Sequence, residues 1–208
     1  MDARLLLIYG YLLIMIFIGF LFQKKARESR IEFYLAGRTL SRFQLFFTMA
    51  ATNFSAFTIF GFSGTGYRIG YSFYPVMGFG TAYMALSFIV IGKKIFFLSR
   101  NRGYITPSDY IGDRYNSRFL KLLFSSVMIA FTLPYIAIQA VASGKSLNSL
   151  IGLPYAFGAL LVTSTIVFYI FLGGLRSGAI TDVVQGFMMI AFTLAAFAVV
   201  AGGKEPLE

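Results

Sequence analysis

The chain has 208 residues, of which 58% are hydrophobic and only 12% charged, with 25 Phe, 13 Tyr and a formal net charge of +10. A soluble domain carries about 25% charged residues, so the composition points away from one and toward a helical membrane protein. Cys and His are both absent, which excludes disulfides, thiolate nucleophiles, zinc sites and a histidine proton relay.

Six apolar stretches account for the hydrophobic excess, at residues 5–22, 43–67, 73–92, 119–141, 155–173 and 183–202. Each is near the roughly 20 residues a helix needs to cross the hydrocarbon core. The expected fold class is all-α: a polytopic membrane helical bundle forming one transmembrane domain over residues 1–208. The first stretch resembles the apolar region of a signal peptide. It is followed, however, by Gln23-Lys24-Lys25, a stop-transfer pattern rather than a small-residue cleavage site, and so reads as the first span.

If the N-terminus is outside and the spans alternate, every Lys and Arg except Arg4, Arg68, Lys145 and Lys204 falls on the cytoplasmic side. Short loops rich in Lys and Arg stay in the cytoplasm, so the basic excess is a topology signal. The charges are divided among loops rather than gathered on one face, which argues against a nucleic-acid groove. The expectation is a multi-pass protein of the cell membrane, with the lipid bilayer as partner and no nucleic acid.

The first loop contains Phe33-Tyr34-Leu35-Ala36-Gly37-Arg38, where Gly37 breaks any helix. The second span is unusual. From Thr48 through Asn53, Ser55 and Thr58 to Gly61, Gly64 and Gly66 it carries small and polar residues at membrane depth. Two compatible readings fit: close packing against neighbouring helices, or an unwound, site-forming helix buried in protein or lining a cavity.

In the loop at 92–118, Thr106-Pro107-Ser108-Asp109 predicts a helix start, with Thr106 as N-cap and Pro107 at the first position. The fourth span contains Pro134, which leaves a carbonyl unpaired, and beyond it Gln139, Ser143, Ser146 and Asn148 run toward the outer end. Gly173 to Gly178 is expected to be a tight cytoplasmic turn carrying Arg176. The sixth span then opens with Thr181 as N-cap, Asp182 at the positive helix end and Gln185 one turn further in. Asp182 is the only acidic residue within or bordering a span. An ionisable residue there is a functional candidate, and capping the helix is an equally available role.

Four stretches together resemble the N-terminal part of the sodium:solute symporter family. They are Phe33-Tyr34-Leu35-Ala36-Gly37-Arg38; Ala50-Ala51-Thr52-Asn53-Phe54-Ser55-Ala56 with Gly61 to Gly66; Thr106-Pro107-Ser108-Asp109-Tyr110; and Gly173-Gly174-Leu175 with Thr181-Asp182-Val183-Val184-Gln185-Gly186. The resemblance implies a LeuT-type inverted-repeat fold, with the first repeat plus an extra N-terminal helix present and the second repeat missing. It implies sodium as the coupling ion, no other cofactor, no enzymatic activity, and a small organic solute as the cargo. By that resemblance the carbonyls of Ala51 and Phe54 supply part of a sodium site. Asn53 and Ser55 shape the break and border the solute, Phe57 and Thr58 face the solute, and Asp182 and Gln185 border the route by which sodium leaves. Gln139 joins the solute-facing group as a polar residue within the fourth span.

Sugar-carrying members of that family place polar residues where this chain has Phe57 and Thr58, which disfavours a hydroxyl-rich cargo. The family's sodium site also needs a small or hydroxylated pair on a helix of the second repeat. The ending at Gly202 to Glu208 reads as an outer loop cut in mid-course. A missing C-terminal half of the same transporter is therefore expected as partner, with a genuine half-protein as the alternative. Two other functional readings stand beside symport: a transporter-like sensor module of a signalling protein, and a membrane protein of purely structural role.

Overall fold

The computed structural model describes residues 3–202, and among them all regular structure is helical. Among the described residues, four helical segments are long and apolar enough to cross a membrane: Ala3–Ala26, Phe57–Arg102, Arg118–Ile151 and Tyr155–Ala201. The second and fourth have 46 and 47 residues. A straight helix of that length would be ~70 Å long, more than twice the ~30 Å hydrocarbon core, and each is divided by a glycine. The chain forms two compact units, Met1–Ser55 with Ala140–Glu208, and Ala56–Gln139.

The first unit has the better-developed core. Helix α1 (Ala3–Ala26) packs along α9 (Tyr155–Ala201), and the short α2 (Arg30–Leu35) and α3 (Arg42–Asn53) also pack on α9. The close approaches use small residues, which let helices meet where no hydrophobic force separates protein from lipid. A Cβ on Gly19 of α1 would lie 2.9 Å from the Tyr169 backbone, and one on Gly144 would lie 2.7 Å from the Tyr155 carbonyl.

Helix α9 is a hairpin. Gly174 has φ 60° and ψ −158°, a region open essentially to glycine alone. The Ser177 hydroxyl reaches back to the Tyr169 carbonyl at 3.3 Å, eight residues away and out of reach along a straight helix. Both arms touch α1: Phe168 of the first contacts Phe20, and Gln185 of the second contacts Tyr11. The predicted turn at 173–178 is therefore present but consists of one residue. This corrects the expected helix start. Thr181 is not an N-cap; it lies seven residues into the second arm, fully buried, with its hydroxyl donating to the Gly178 carbonyl at 2.8 Å.

A clasp of polar groups holds that turn. Arg176 Nε donates to Glu32 Oε1 at 2.7 Å, and Arg176 Nη2 donates to the Ala36 carbonyl and Thr39 Oγ1, each at 2.7 Å. Three successive residues, Ala36, Gly37 and Arg38, take left-handed φ values of 49°, 64° and 57°. A carbonyl within that strained stretch is the one Arg176 grips. Opposite, Arg4 Nη1 donates to the Leu150 carbonyl at 3.3 Å.

The second unit runs through a π-helical segment (Phe57–Phe62), α4 (Ser63–Ile69), α5 (Tyr74–Ser87), a second π segment (Phe88–Gly92), α6 (Lys93–Arg102), α7 (Pro107–Arg114) and the first part of α8 (Arg118–Ile151). Gly70 (φ 75°, ψ −156°) turns the chain back, so that Phe62 meets the rings of Phe73 and Tyr74 at 5.5 Å. The helix start predicted at Thr106 is observed: Thr106 Oγ1 accepts from the Asp109 N–H at 3.3 Å, and Asp109 Oδ2 accepts from the Thr106 N–H at 2.8 Å. Asp109 also accepts from the Ile105 N–H and pairs with Lys121 at 2.7 Å. Partial burial raises its carboxyl pKa, but the bonds from Lys121 and the loop N–H groups outweigh this and hold it well below the usual carboxylate range.

Candidate functional site

The site begins where α3 ends. Thr52 and Asn53 are poor helix-interior residues because their side chains compete for nearby backbone groups. Here both turn back on the preceding turn, Thr52 Oγ1 donating to the Thr48 carbonyl at 2.8 Å and Asn53 Nδ2 to the Met49 carbonyl at 2.9 Å. The Phe54 N–H still reaches the Ala50 carbonyl at 3.1 Å, but Phe54 itself leaves the helical region at φ −82°, ψ 63°. Phe54 and Ser55 form a bend, and a π-helical segment opens at Phe57. The predicted second span is thus two helical pieces joined by a break. Ala51 lies in the last turn of α3, where helix geometry leaves carbonyls without their usual donors.

Within the second unit, the residue that follows the break is tied to α8. The Ala56 N–H donates to Gln139 Oε1 at 3.0 Å, across 83 residues of sequence. That bond fixes the orientation of the amide: the backbone N–H requires an acceptor, so the oxygen faces Ala56. Gln139 Nε2 is buried and has no hydrogen-bond partner among the described residues. Phe57 and Thr58 follow directly on Ala56, the first exposed and the second half-buried.

Within the first unit, Asp182 and Gln185 belong to a polar cluster between α1, α3 and α9. The Asp182 carboxyl is half-buried and faces the Thr48 hydroxyl of α3. Thr48 Oγ1 is itself buried and lies outside good hydrogen-bond geometry with any described residue. Thr48 lies at the middle of α3, three residues before Ala51. Gln185 Nε2 donates to the Tyr11 hydroxyl at 2.6 Å, and Tyr169 lies against Thr181 within electrostatic reach of Asp182.

Ala51, Asn53, Phe54 and Ser55 are therefore gathered at the break by adjacency, and Gln139 joins Ala56, Phe57 and Thr58 through a tertiary bond. Asp182 and Gln185 share a separate cluster linked to α3 through Thr48. Tyr11, Thr48 and Tyr169 were not singled out as partners of Asp182 by sequence reasoning. Their only signal was a hydroxyl at membrane depth, which needs a partner there, in stretches otherwise filled by Phe, Leu and Ile. Among the described residues no group of three or more acidic side chains is placed to hold a metal ion.

The described residues thus carry two separate features: a helix break at Phe54 and Ser55, followed in the second unit by the Ala56–Gln139 bond, and a half-buried carboxyl, Asp182, in the first unit. Residues 33–205 match the family model described as Sodium:solute symporter family, and the chain belongs to that family. It is 29% identical over 163 residues to the sodium/pantothenate symporter of Haemophilus influenzae, covering 78% of this chain and 34% of that protein. It is 30% identical over 188 residues to the sodium/proline symporter of Staphylococcus aureus, covering 89% of this chain and 37% of that protein. The chain thus spans about a third of the length of these relatives. No solved structure gives a significant match.

Proposed function

We propose that this chain is the N-terminal portion of a sodium-coupled symporter that carries a small organic solute across the cell membrane. The observation that carries the reading is the helix break at Phe54 and Ser55, braced by Gln139 through the Ala56 N–H. A hard cation takes oxygen ligands, and the end of α3 supplies carbonyls, that of Ala51 in its last turn and that of Phe54 just beyond it, without requiring a carboxylate. Asn53 and Ser55 shape the break, and Phe57, Thr58 and Gln139 border the solute. Asp182, with Thr48 and Gln185 beside it, lines the route of sodium to the cytoplasm.

In this reading the chain crosses the membrane six times with the N-terminus outside, in a LeuT-type arrangement completed by a C-terminal half. Two contacts support the topology. Arg4 and Leu150, both assigned outside, touch each other, and so do Glu32 and Arg176, both assigned inside. The two named relatives are symporters of pantothenate and proline, both carboxylic acids, and the cargo is proposed to be a solute of that size and polarity.

The test is sodium-dependent uptake of radiolabelled L-proline and pantothenate by the full-length gene product in proteoliposomes, with wild type and Asp182→Asn compared. Sodium should raise solute affinity, and solute should raise sodium affinity by the same factor. Asp182→Asn is expected to slow sodium-coupled uptake at least about tenfold while leaving the protein folded. Uptake indifferent to sodium in the wild type overturns the reading. Unaltered uptake in the variant removes Asp182 from the pathway.

A further inference from the structure

From the geometry around Gln139 we infer that the site recognises a carboxylate of the solute, and that Gln139 Nε2 is the donor that does so. This rests on the symport reading and makes it more specific. An amide side chain has one acceptor end and one donor end, bonded to the same carbon. The acceptor end is engaged by the Ala56 N–H at 3.0 Å. The donor end therefore also sits beside Ala56, buried, with no partner among the described residues. A buried donor left unpaired is costly, and native structures rarely keep one without a reason.

The free group has a sign. Sodium needs oxygen, and an NH2 group presents hydrogen, so Gln139 cannot extend the cation site in this orientation. Turning the amide over would place its NH2 against the Ala56 N–H, two donors facing each other, so the flip is closed while the break keeps its shape. What the NH2 group can accept as a partner is a lone pair, and an ionised carboxylate forms the stronger bond. The side chain therefore does two things at once: its oxygen braces the break, and its nitrogen reads the cargo. Neighbouring Phe57 and Thr58 supply an apolar ring and a hydroxyl, which suits a compact organic acid better than a polyol.

The test uses the full-length gene product in proteoliposomes as wild type, Gln139→Glu and Gln139→Leu. Glu keeps an acceptor for the Ala56 N–H but replaces the donor by a negative charge; Leu removes both. Competition against labelled L-proline and pantothenate is measured with each acid and with its alcohol counterpart, prolinol and pantothenol. In the wild type each acid should outcompete its alcohol by about tenfold or more, as for a site built around a hydrogen bond. Gln139→Leu should bring the acid and alcohol within about twofold of each other, and Gln139→Glu should weaken acid binding at least about a hundredfold. The sodium-dependent rise in melting temperature should persist in Gln139→Glu, which shows that the break is intact.

An acid-to-alcohol ratio unchanged in both variants overturns the proposal and leaves water as the partner of the amide. Loss of the sodium effect in Gln139→Glu together with solute binding also overturns it, by making Gln139 purely a brace. A wild type stabilised by sodium that accepts neither acid overturns the solute class alone. A wild type indifferent to sodium overturns the symport reading and this inference with it.

Discussion

Two glycines reverse the chain with nearly the same backbone geometry, Gly174 at φ 60°, ψ −158° and Gly70 at φ 75°, ψ −156°. Their surroundings are opposite. A Cβ on Gly174 would lie 2.6 Å from the Phe33 carbonyl oxygen, and the turn is gripped by Arg176 through Glu32, Ala36 and Thr39. A Cβ on Gly70 would meet nothing within 4 Å. The first turn is closed inside a packed unit; the second is an open elbow whose neighbours, Tyr67 and Tyr71, are 93% and 92% exposed. The same local geometry thus serves as a docking point in one unit and as a bare connection in the other. What differs is the tertiary cover, and with it the expected cost of change.

The sharpest break of that contrast is Gly174→Ala. Backbone strain of about 1–3 kcal/mol adds to the clash with Phe33, so a loss above about 3 kcal/mol is expected, read as the melting temperature of the full-length gene product in detergent. Next comes Arg176→Met, which leaves Glu32 buried without its partner. Their side chains are 14% and 10% exposed, and removing one member of such a pair costs about 3 kcal/mol. Gly70→Ala should cost only the strain, about 1–3 kcal/mol, and a loss as large as that of Gly174→Ala would show that Gly70 too is covered in the assembled protein.

Smaller still is Arg102→Ala, whose pair with Asp113 is 59% and 43% exposed; less than about 1 kcal/mol is expected. The last effect is one of pH. Asp109 has a carboxyl pKa depressed below its usual 3.8, so it contributes stability above about pH 4 that fades as pH falls below that value. Hydrogen exchange of α7 amides should therefore quicken on acidification, after correction for the intrinsic rate, and Asp109→Asn should abolish that added dependence.

The helix start at Thr106 was legible because capping is local: acceptor and donor lie three residues apart, and no tertiary partner is needed. The break after Asn53 was legible only in part: the small and polar residues from Thr48 to Gly66 allowed both close packing and an unwound helix, and the family resemblance put the break at Asn53 and Ser55. The start of the last span was not legible. Thr181 and Asp182 look like a helix cap, yet the helix already begins beyond Gly174, because a single glycine in the one conformation closed to other residues reverses the chain without a loop. The tyrosines beside Asp182 were hidden because a span shows which residues leave water, and not whether they leave it for lipid or for protein.

Hydropathy and charge placement by themselves determined that this is an all-helical, multi-pass membrane protein, because transfer free energy and loop charge are properties of short segments. Four ordered motifs determined the family. Only the tertiary structure decided that Gln139 braces Ala56 across 83 residues, that Arg176 seats in the loop at Glu32 to Thr39, and that Thr48 faces Asp182. Those pairings depend on which helices meet and at what height, and no local preference of the chain encodes a meeting between residues so far apart in sequence.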